Sequence, residues 1–362
     1  MTGIDDVRTA GQSIWQDDIR RAQLDSGELE RRRDEWGVTG ITANPTIFEK
    51  AISEHDDYDA AIVQQGRRAL EAPVDVFWDL AVDDIQRAAD VLRPVHDRTA
   101  GTDGFVSLEL APDLAYDAQG SIDAGAELFG RLDRPNVMIK VPGTAPGVVA
   151  IEELTARGVN VKVTLLFGVA QWSAVWEAFA SGMRRRHDAG EGLAVASVAS
   201  FFLSRIDRQV ADALPDDEQN QLALATAKLV HDEWSRRLDE PRWRELADAG
   251  ARPQRLLWAS TSPKDPELPT TYYVERLVVP ETVDTMSTDV IEALAALDHL
   301  DPPLLSATSS HDARQVMSKA GAHGVDPEQV AEQLQKDGVL AFSDSFADLA
   351  RCIEHKARVL VP

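Results

Sequence analysis

Short apolar runs alternate with longer stretches of helical period along most of the chain, and that alternation predicts a parallel sheet built from βα units. Eight strands are expected: Ser13–Asp17, Val38–Thr42, Phe105–Glu109, a run centred on Val137–Val141, Val159–Phe167, Ala194–Phe202, Arg255–Ser260 and Thr282–Met286. Between them the spacing predicts helices over Ile19–Trp36, Ile47–Gln65, Pro73–Leu92, Ser121–Leu132, Gly147–Arg157, Gln171–His187, Asp216–Leu246 and Tyr272–Leu277. In the third of these, Val76, Leu80, Ile85, Ala88 and Leu92 mark one apolar side. Trp172, Val175, Trp176 and Phe179 recur at three- and four-residue spacing, which assigns them to a barrel-facing core rather than to a ligand platform. Thr288 to Pro362 reads as helical, with Val330, Leu334, Leu340, Phe346, Leu349, Ile353 and Leu360 turned inward. No repeat, linker or low-complexity segment breaks the pattern. It predicts one (β/α)8 TIM barrel domain over residues 1–362, with residues 288–362 as additional C-terminal helices packed on the barrel.

One strand carries an anomaly. Asn136 to Thr144 reads N-V-M-I-K-V-P-G-T, an apolar run buried on both faces, stopped by Pro142-Gly143, with Lys140 near its carboxyl end. Loss of hydration favours the neutral amine, which can attack a carbonyl to form a Schiff base. The competing reading is a lysine whose stem covers apolar surface while its head reaches water.

Composition narrows the partners. The 362 residues carry 37 basic against 61 acidic side chains, a net charge of −24, a field that repels nucleic acid and anionic membrane. Charged residues at 27% and hydrophobic ones at 44% are ordinary for a soluble globular enzyme. The single cysteine, Cys352, cannot close an intramolecular disulfide, the first residues lack the apolar core of a signal peptide, and no run reaches membrane-spanning length. A cytoplasmic protein is expected.

In a closed barrel the chemistry lies where the carboxyl ends of the strands meet. Those ends carry Asp17, Asn44, Glu109, Lys140, Thr164, Ser200 and Ser260. A core gains nothing from such a polar set, whereas a shared site needs a carboxylate and an amine for proton transfer and covalent catalysis, with hydroxyls and an amide to grip a polyol. Arg205 and Lys264 follow strands six and seven, where barrels often hold phosphate, although single basic residues in loops are commonly just solvated. The glycines of P-G-T-A-P-G at Pro142–Gly147 suit either a phosphate cradle or a strand-to-helix turn. No dinucleotide fingerprint, P-loop or H-E-x-x-H occurs, and the eight histidines show no ligand spacing, so no metal or cofactor is expected.

The motifs resemble those of the transaldolases, of the kind found in actinobacteria. They are G-V-T-G-I-T-A-N-P-T-I-F at Gly37–Phe48, D-G-F-V-S-L-E-L at Asp103–Leu110 and R-P-N-V-M-I-K-V-P-G-T at Arg134–Thr144. V-T-L-L-F at Val163–Phe167, V-A-S-V-A-S-F-F-L-S-R at Val195–Arg205 and L-W-A-S-T-S-P-K-D-P at Leu257–Pro266 complete the set, in order along the barrel. The resemblance implies a barrel of the class I aldolase type that moves a dihydroxyacetone unit from a ketose phosphate to an aldose phosphate without a cofactor. It implies Lys140 as the Schiff-base lysine, Glu109 and Asp17 as acid/base carboxylates, and Thr164 as the residue that orders the catalytic water. Asn44 and Ser200 would bind the dihydroxyacetone hydroxyls, Arg205 and Ser260 the phosphate, and Lys264 would stand in for a second basic ligand. The alternatives are an aldolase acting on a different sugar phosphate and a sugar-phosphate-binding protein with impaired catalysis.

One departure from the family pattern matters. Lys162 stands where the fifth strand usually carries asparagine, and alternation along Asn160, Lys162 and Thr164 turns it into the barrel near Lys140. Three consequences compete: it depresses the pKa of Lys140, it pairs with Glu109 or Asp17, or it blocks the sugar. Ala43, in place of threonine, and Glu281 and Asp284, in place of asparagines, are milder departures.

Overall fold

The computed structural model describes residues 2–300 and 307–361. Eight parallel strands close a barrel in sequence order: β1 (Ser13–Gln16), β2 (Val38–Thr42), β3 (Val106–Glu109), β4 (Val137–Pro142), β5 (Val161–Leu166), β6 (Ser197–Phe202), β7 (Arg255–Ala259) and β8 (Val283–Met286). Closure comes from β8 pairing with β1, Ser13 opposite Val283 through Gln16 opposite Met286. Every residue of β4, β5 and β6 is buried, as expected of parallel strands with side chains in the barrel on one face and helices on the other. All eight expected strands are present, with ends shifted by up to three residues.

Several helices differ from expectation at breaks the period does not reveal. The stretch expected over Ile19–Trp36 is two helices, Arg21–Asp25 and Glu28–Glu35, split where Gly27 takes a left-handed φ of 74°. Ile47–Gln65 divides into Pro45–Ser53 and Asp59–Gln65, while Pro73–Arg98 runs on past Leu92 and through Pro94. Trp172 and Trp176 are buried and stack at 6.0 Å, and Trp176 meets Trp243 at 5.0 Å, so the core reading of the tryptophans holds.

At the C-terminus the helices are Thr288–Ala295, Ala307–Ala322 and Pro327–Leu360; residues 301–306 and Pro362 of the expected helical stretch lie outside the described residues. The long last helix buries Ala331, Leu334, Gly338, Phe342, Leu349, Ile353 and Ala357. Leu340, expected inward, is 63% exposed: two residues from both Gly338 and Phe342, it lies about 200° around the helix from each. This helix packs on Pro45–Ser53, on Pro73–Arg98 and on β5, and Gln335 donates to the carbonyls of Gly143 (2.9 Å) and Leu165 (3.0 Å). Gly338 lets the helix approach closely, since a Cβ there would come within 2.7 Å of the end of the Leu165 side chain and push it aside. The last helix is thereby pinned to the carboxyl ends of β4 and β5.

Candidate active site

Barrel register sets the chemistry. Glu109 on β3 is the partner of Lys140 on β4, and Lys140 is the partner of Lys162 on β5, so three ionisable residues occupy one layer of the interior. Lys140 is 3% exposed, which excludes the water-reaching alternative. Its Nζ lies 2.7 Å from Glu109 Oε2, 3.4 Å from the carbonyl of Ala43 and 5.4 Å from the centre of the Phe342 ring. The bare amine expected from desolvation alone is therefore met instead by a buried carboxylate. Burial raises the pKa of Glu109, against the lowering pull of Lys140 and, more weakly, Lys162. A carboxylate that favours its acid form is a ready acceptor for the proton between the two groups, and taking that proton leaves a nucleophilic amine on Lys140.

Lys162 is also buried, with its Nζ 5.6 Å from the centre of the Trp15 ring. It makes no ion pair with Glu109 or Asp17 among the described residues, so the pairing consequence is not realised. Burial, then the charge of Lys140, pushes its pKa well down, while Asp17 and Glu109 pull it back up. Asp17 follows directly on β1 and holds its backbone N–H 2.8 Å from the carbonyl of Met286. Its carboxylate accepts a hydrogen bond from Thr42 Oγ1, which also lies 3.0 Å from Thr285 Oγ1.

These residues line a cavity of about 440 Å³ at the carboxyl end of the barrel, within the roughly 300–1,000 Å³ usual for small-ligand sites. Of the ten residues singled out from the sequence, eight line it: Asp17, Asn44, Lys140, Lys162, Ser200, Arg205, Ser260 and Lys264. Glu109 reaches it only through Lys140, and Thr164, wholly buried opposite Pro142, does not line it. The hydroxyls of Thr164 and Ser200 have no hydrogen-bond partner among the described residues, and that of Ser200, on the cavity lining, is placed to serve a ligand. Asn44 caps the Pro45–Ser53 helix by accepting from Ile47 N–H at 2.9 Å, which spends its oxygen and leaves its NH2 as a donor.

The cations Arg205, Lys264 and Lys50 cluster within a lining that also includes the carboxylates Asp17 and Asp289. Arg205 packs over Phe202, and burial lowers its pKa; Ser260 sits beyond β7 with a left-handed φ of 56°. Burial lowers the pKa of Lys264, helped by the like charges of Arg205, Arg208 and Lys50. Among the described residues none of these four has a carboxylate within 4 Å, although the chain has 61 acidic residues and many of its other basic groups are paired. An electropositive seat for an anion results. Lys50 escaped the sequence reading, as did Thr42, Thr285 and Phe342. Thr46 and Lys50 at four-residue spacing could have pointed to one helix face on the site, and strand alternation could have found Thr42 and Thr285. Nothing local could have placed Phe342.

The remaining sequence features resolve as follows. Gly147 serves the strand-to-helix turn, since a Cβ there would lie 2.0 Å from the carbonyl of Pro142, and its N–H donates to Thr144 Oγ1 at 3.1 Å; neither it nor Gly143 lines the cavity. Asp284 is buried with Oδ1 accepting from Thr261 Oγ1 at 3.1 Å, and burial pushes its carboxyl up to about 8. Glu281 lies at the opposite end of the barrel, on a larger cavity of about 560 Å³ that also involves Ser13, Asp103 and Arg255. In that cavity the Arg255 guanidinium is committed to the carbonyls of Glu281, Thr102 and Thr282 and to Ser13 Oγ. No described helix is long and apolar enough to cross a membrane.

Comparison with known proteins agrees with this geometry. Residues 14–353 match the family described as transaldolase/fructose-6-phosphate aldolase. A transaldolase of Parafrankia sp. (strain EAN1pec) is 39% identical over 98% of this chain and 97% of its own length. The transaldolase of Frankia alni is 40% identical over 96% of this chain and 95% of its own, and that of Thermobifida fusca 41% identical over 94% of each. A match of this extent covers every barrel strand and the helix that supplies Phe342, and on it the chain belongs to the transaldolase/fructose-6-phosphate aldolase family.

Proposed function

We propose that this protein is a transaldolase that moves a dihydroxyacetone unit between sugar phosphates through a Schiff base on Lys140. In the direction of the pentose phosphate pathway it converts sedoheptulose 7-phosphate and glyceraldehyde 3-phosphate into erythrose 4-phosphate and fructose 6-phosphate. The observation that carries the reading is the Lys140–Glu109 pair at 2.7 Å, within reach of the same cavity that holds the unpaired cations Arg205, Lys264 and Lys50. A ketose phosphate has a carbonyl near one end and a phosphate at the other, and such a cavity offers a nucleophile and an anion seat to match.

The residues divide the work. Glu109 takes the proton from Lys140, and the amine attacks the C2 carbonyl; loss of water, protonated through Glu109, gives the iminium. Asp17 removes the C4 hydroxyl proton, the C3–C4 bond breaks, and its electron pair flows into the iminium while the aldose phosphate leaves. The resulting enamine adds to the acceptor aldehyde, whose oxygen takes the proton back from Asp17. Asn44 and Ser200 bind the hydroxyls of the retained three-carbon unit, Thr164 orders the water used in hydrolysis, and Arg205, Ser260 and Lys264 hold the phosphate. The C-terminal helices belong to the same catalytic unit as the barrel, because Phe342 roofs Lys140. The enzyme works in the cytoplasm and needs no cofactor.

The test is transfer from fructose 6-phosphate to erythrose 4-phosphate, run beside the same donor without acceptor, with borohydride trapping and peptide mapping. Transfer with a reduced adduct on Lys140 supports the reading. Cleavage at equal rate without acceptor would replace it with an aldolase, and binding without either reaction would replace it with a binding protein.

A further inference from the structure

Lys162 is the cavity-lining basic residue that the proposed reaction does not use. Among the described residues its amine has no hydrogen-bond acceptor and no carboxylate within 4 Å, for Glu109 is engaged by Lys140 and Asp17 by Thr42. The other cations of the lining without a carboxylate partner among the described residues are Arg205, Lys264 and Lys50, and Lys264 feels the charges of both others. One phosphate satisfies that group. A ketose monophosphate then presents only neutral hydroxyls and a carbonyl to Lys162, which can hydrogen-bond the neutral amine but leave the charge of a buried ammonium uncompensated.

The position of Lys162 says which group would compensate it. Lys140 and Lys162 are paired residues on adjacent strands, about 4.8 Å apart across the ladder, and both turn into the interior. A Schiff base on Lys140 fixes the ketone carbon, and the terminal carbon beside it is only about 1.5 Å further on. Phe342, on the lining, lies over Lys140, and the fully buried Trp15 ring lies against Lys162. A single amine, with Ser200 Oγ as a neighbouring free hydroxyl, suits a planar carboxylate better than a phosphate dianion, which asks for several donors and two compensating charges.

Resting on the Schiff-base reading, we infer that Lys162 forms a carboxylate subsite beside Lys140 and that the enzyme accepts 2-oxo acids, of which pyruvate is the smallest useful case, as nucleophilic donors to aldose phosphates. The chemistry balances without an oxidant or reductant. The Lys140 amine adds to C2 and water leaves, giving the iminium; a C3–H bond breaks, its proton goes to Glu109 and its electron pair forms the enamine. C3 then bonds to the aldehyde carbon, whose oxygen takes up a proton, and hydrolysis releases a phosphorylated 4-hydroxy-2-oxo acid and the free lysine. The depressed proton affinity of Lys162 agrees with this role: an arriving carboxylate offsets the repulsion from Lys140, and binding draws a proton onto the amine.

The experiment is borohydride trapping on the full chain with pyruvate, hydroxyacetone, dihydroxyacetone phosphate or fructose 6-phosphate, each followed by peptide mass mapping. The expected result is a 1-carboxyethyl adduct on Lys140, formed at least tenfold faster with pyruvate than hydroxyacetone forms its own. In Lys162→Asn that preference falls by at least tenfold, and Lys162→Gln repeats the comparison. The wild-type preference stands as a test even where both variants misfold. Equal trapping of pyruvate and hydroxyacetone, faster trapping of dihydroxyacetone phosphate, survival of the preference in a folded variant, or an adduct on Lys162 would each overturn the inference. A fructose 6-phosphate adduct on Lys140 with no pyruvate adduct overturns the inference alone. No Lys140 adduct from any of the four overturns the Schiff-base reading with it.

Discussion

Replacing Glu109 by glutamine tests the central pair with the least change of shape. The side chain is 6% exposed and its Oε2 lies 2.7 Å from Lys140 Nζ, so Glu109→Gln keeps an oxygen acceptor in place and removes only the charge and the proton-accepting function. Removing one partner of a buried ion pair costs about 3–5 kcal/mol, and with the amide oxygen retained we expect the lower end, about 3 kcal/mol. A lost acid/base group of this kind slows the chemical step by roughly 10²–10⁴-fold. Urea unfolding measures the first effect, and kcat for dihydroxyacetone transfer, per folded molecule, measures the second. The pH profile separates them. Glu109 must be ionised to receive the proton of Lys140, and burial raises its pKa above the ordinary 4.5, so wild-type kcat/KM falls as pH drops through a value above 4.5. That acid limb is absent in Glu109→Gln. If the variant loses stability but keeps kcat within about threefold and keeps the acid limb, Glu109 only neutralises Lys140 and the proton-transfer argument is wrong.

Lys140→Met should abolish borohydride trapping and lower transfer by about 10⁴-fold or more, read by mass mapping and coupled assay. Arg205→Ala removes charge-assisted contacts worth about 1.5–3 kcal/mol, so KM for the sugar phosphate should rise roughly 10–150-fold with a smaller change in kcat, in steady-state kinetics. Asp284→Asn addresses stability against pH. The Asp284 carboxyl is raised from 3.8 to about 8, so its contribution is fully present below about pH 4 and is lost as pH rises through about 8. A loss of up to roughly 4 kcal/mol between about pH 5 and 9 in the wild type should then flatten in the variant, measured as urea midpoints across that range. Phe342→Ala should destabilise by about 3–5 kcal/mol and lower kcat by opening the roof over Lys140, which stopped-flow trapping would detect.

Local pattern along the chain carries the barrel and the convergence of its polar strand ends on one cavity. Strand alternation and the punctuation of Pro142-Gly143 are local, and in a closed parallel barrel every strand end converges on one face, so Asp17, Asn44, Lys140, Ser200 and Ser260 meet whatever the details. Period two also turned Lys162 inward correctly. Tertiary structure alone decided the partners. Whether Lys162 or Lys140 would take Glu109 depends on register across three strands and on distances of a few ångström, which no local pattern carries. The same holds for Lys50 joining Arg205 and Lys264, because the direction of the Pro45–Ser53 helix follows from its cap at Asn44 and its packing on the C-terminal helix. Leu340 read as core because it is apolar, but helix rotation about Gly338 and Leu165 sends it to solvent and brings Phe342 over the lysine instead. Hydrophobic patterning specifies which faces are buried; the pairing of buried charges and the roof over them come from contacts between segments far apart in the chain, and only the folded packing selects those.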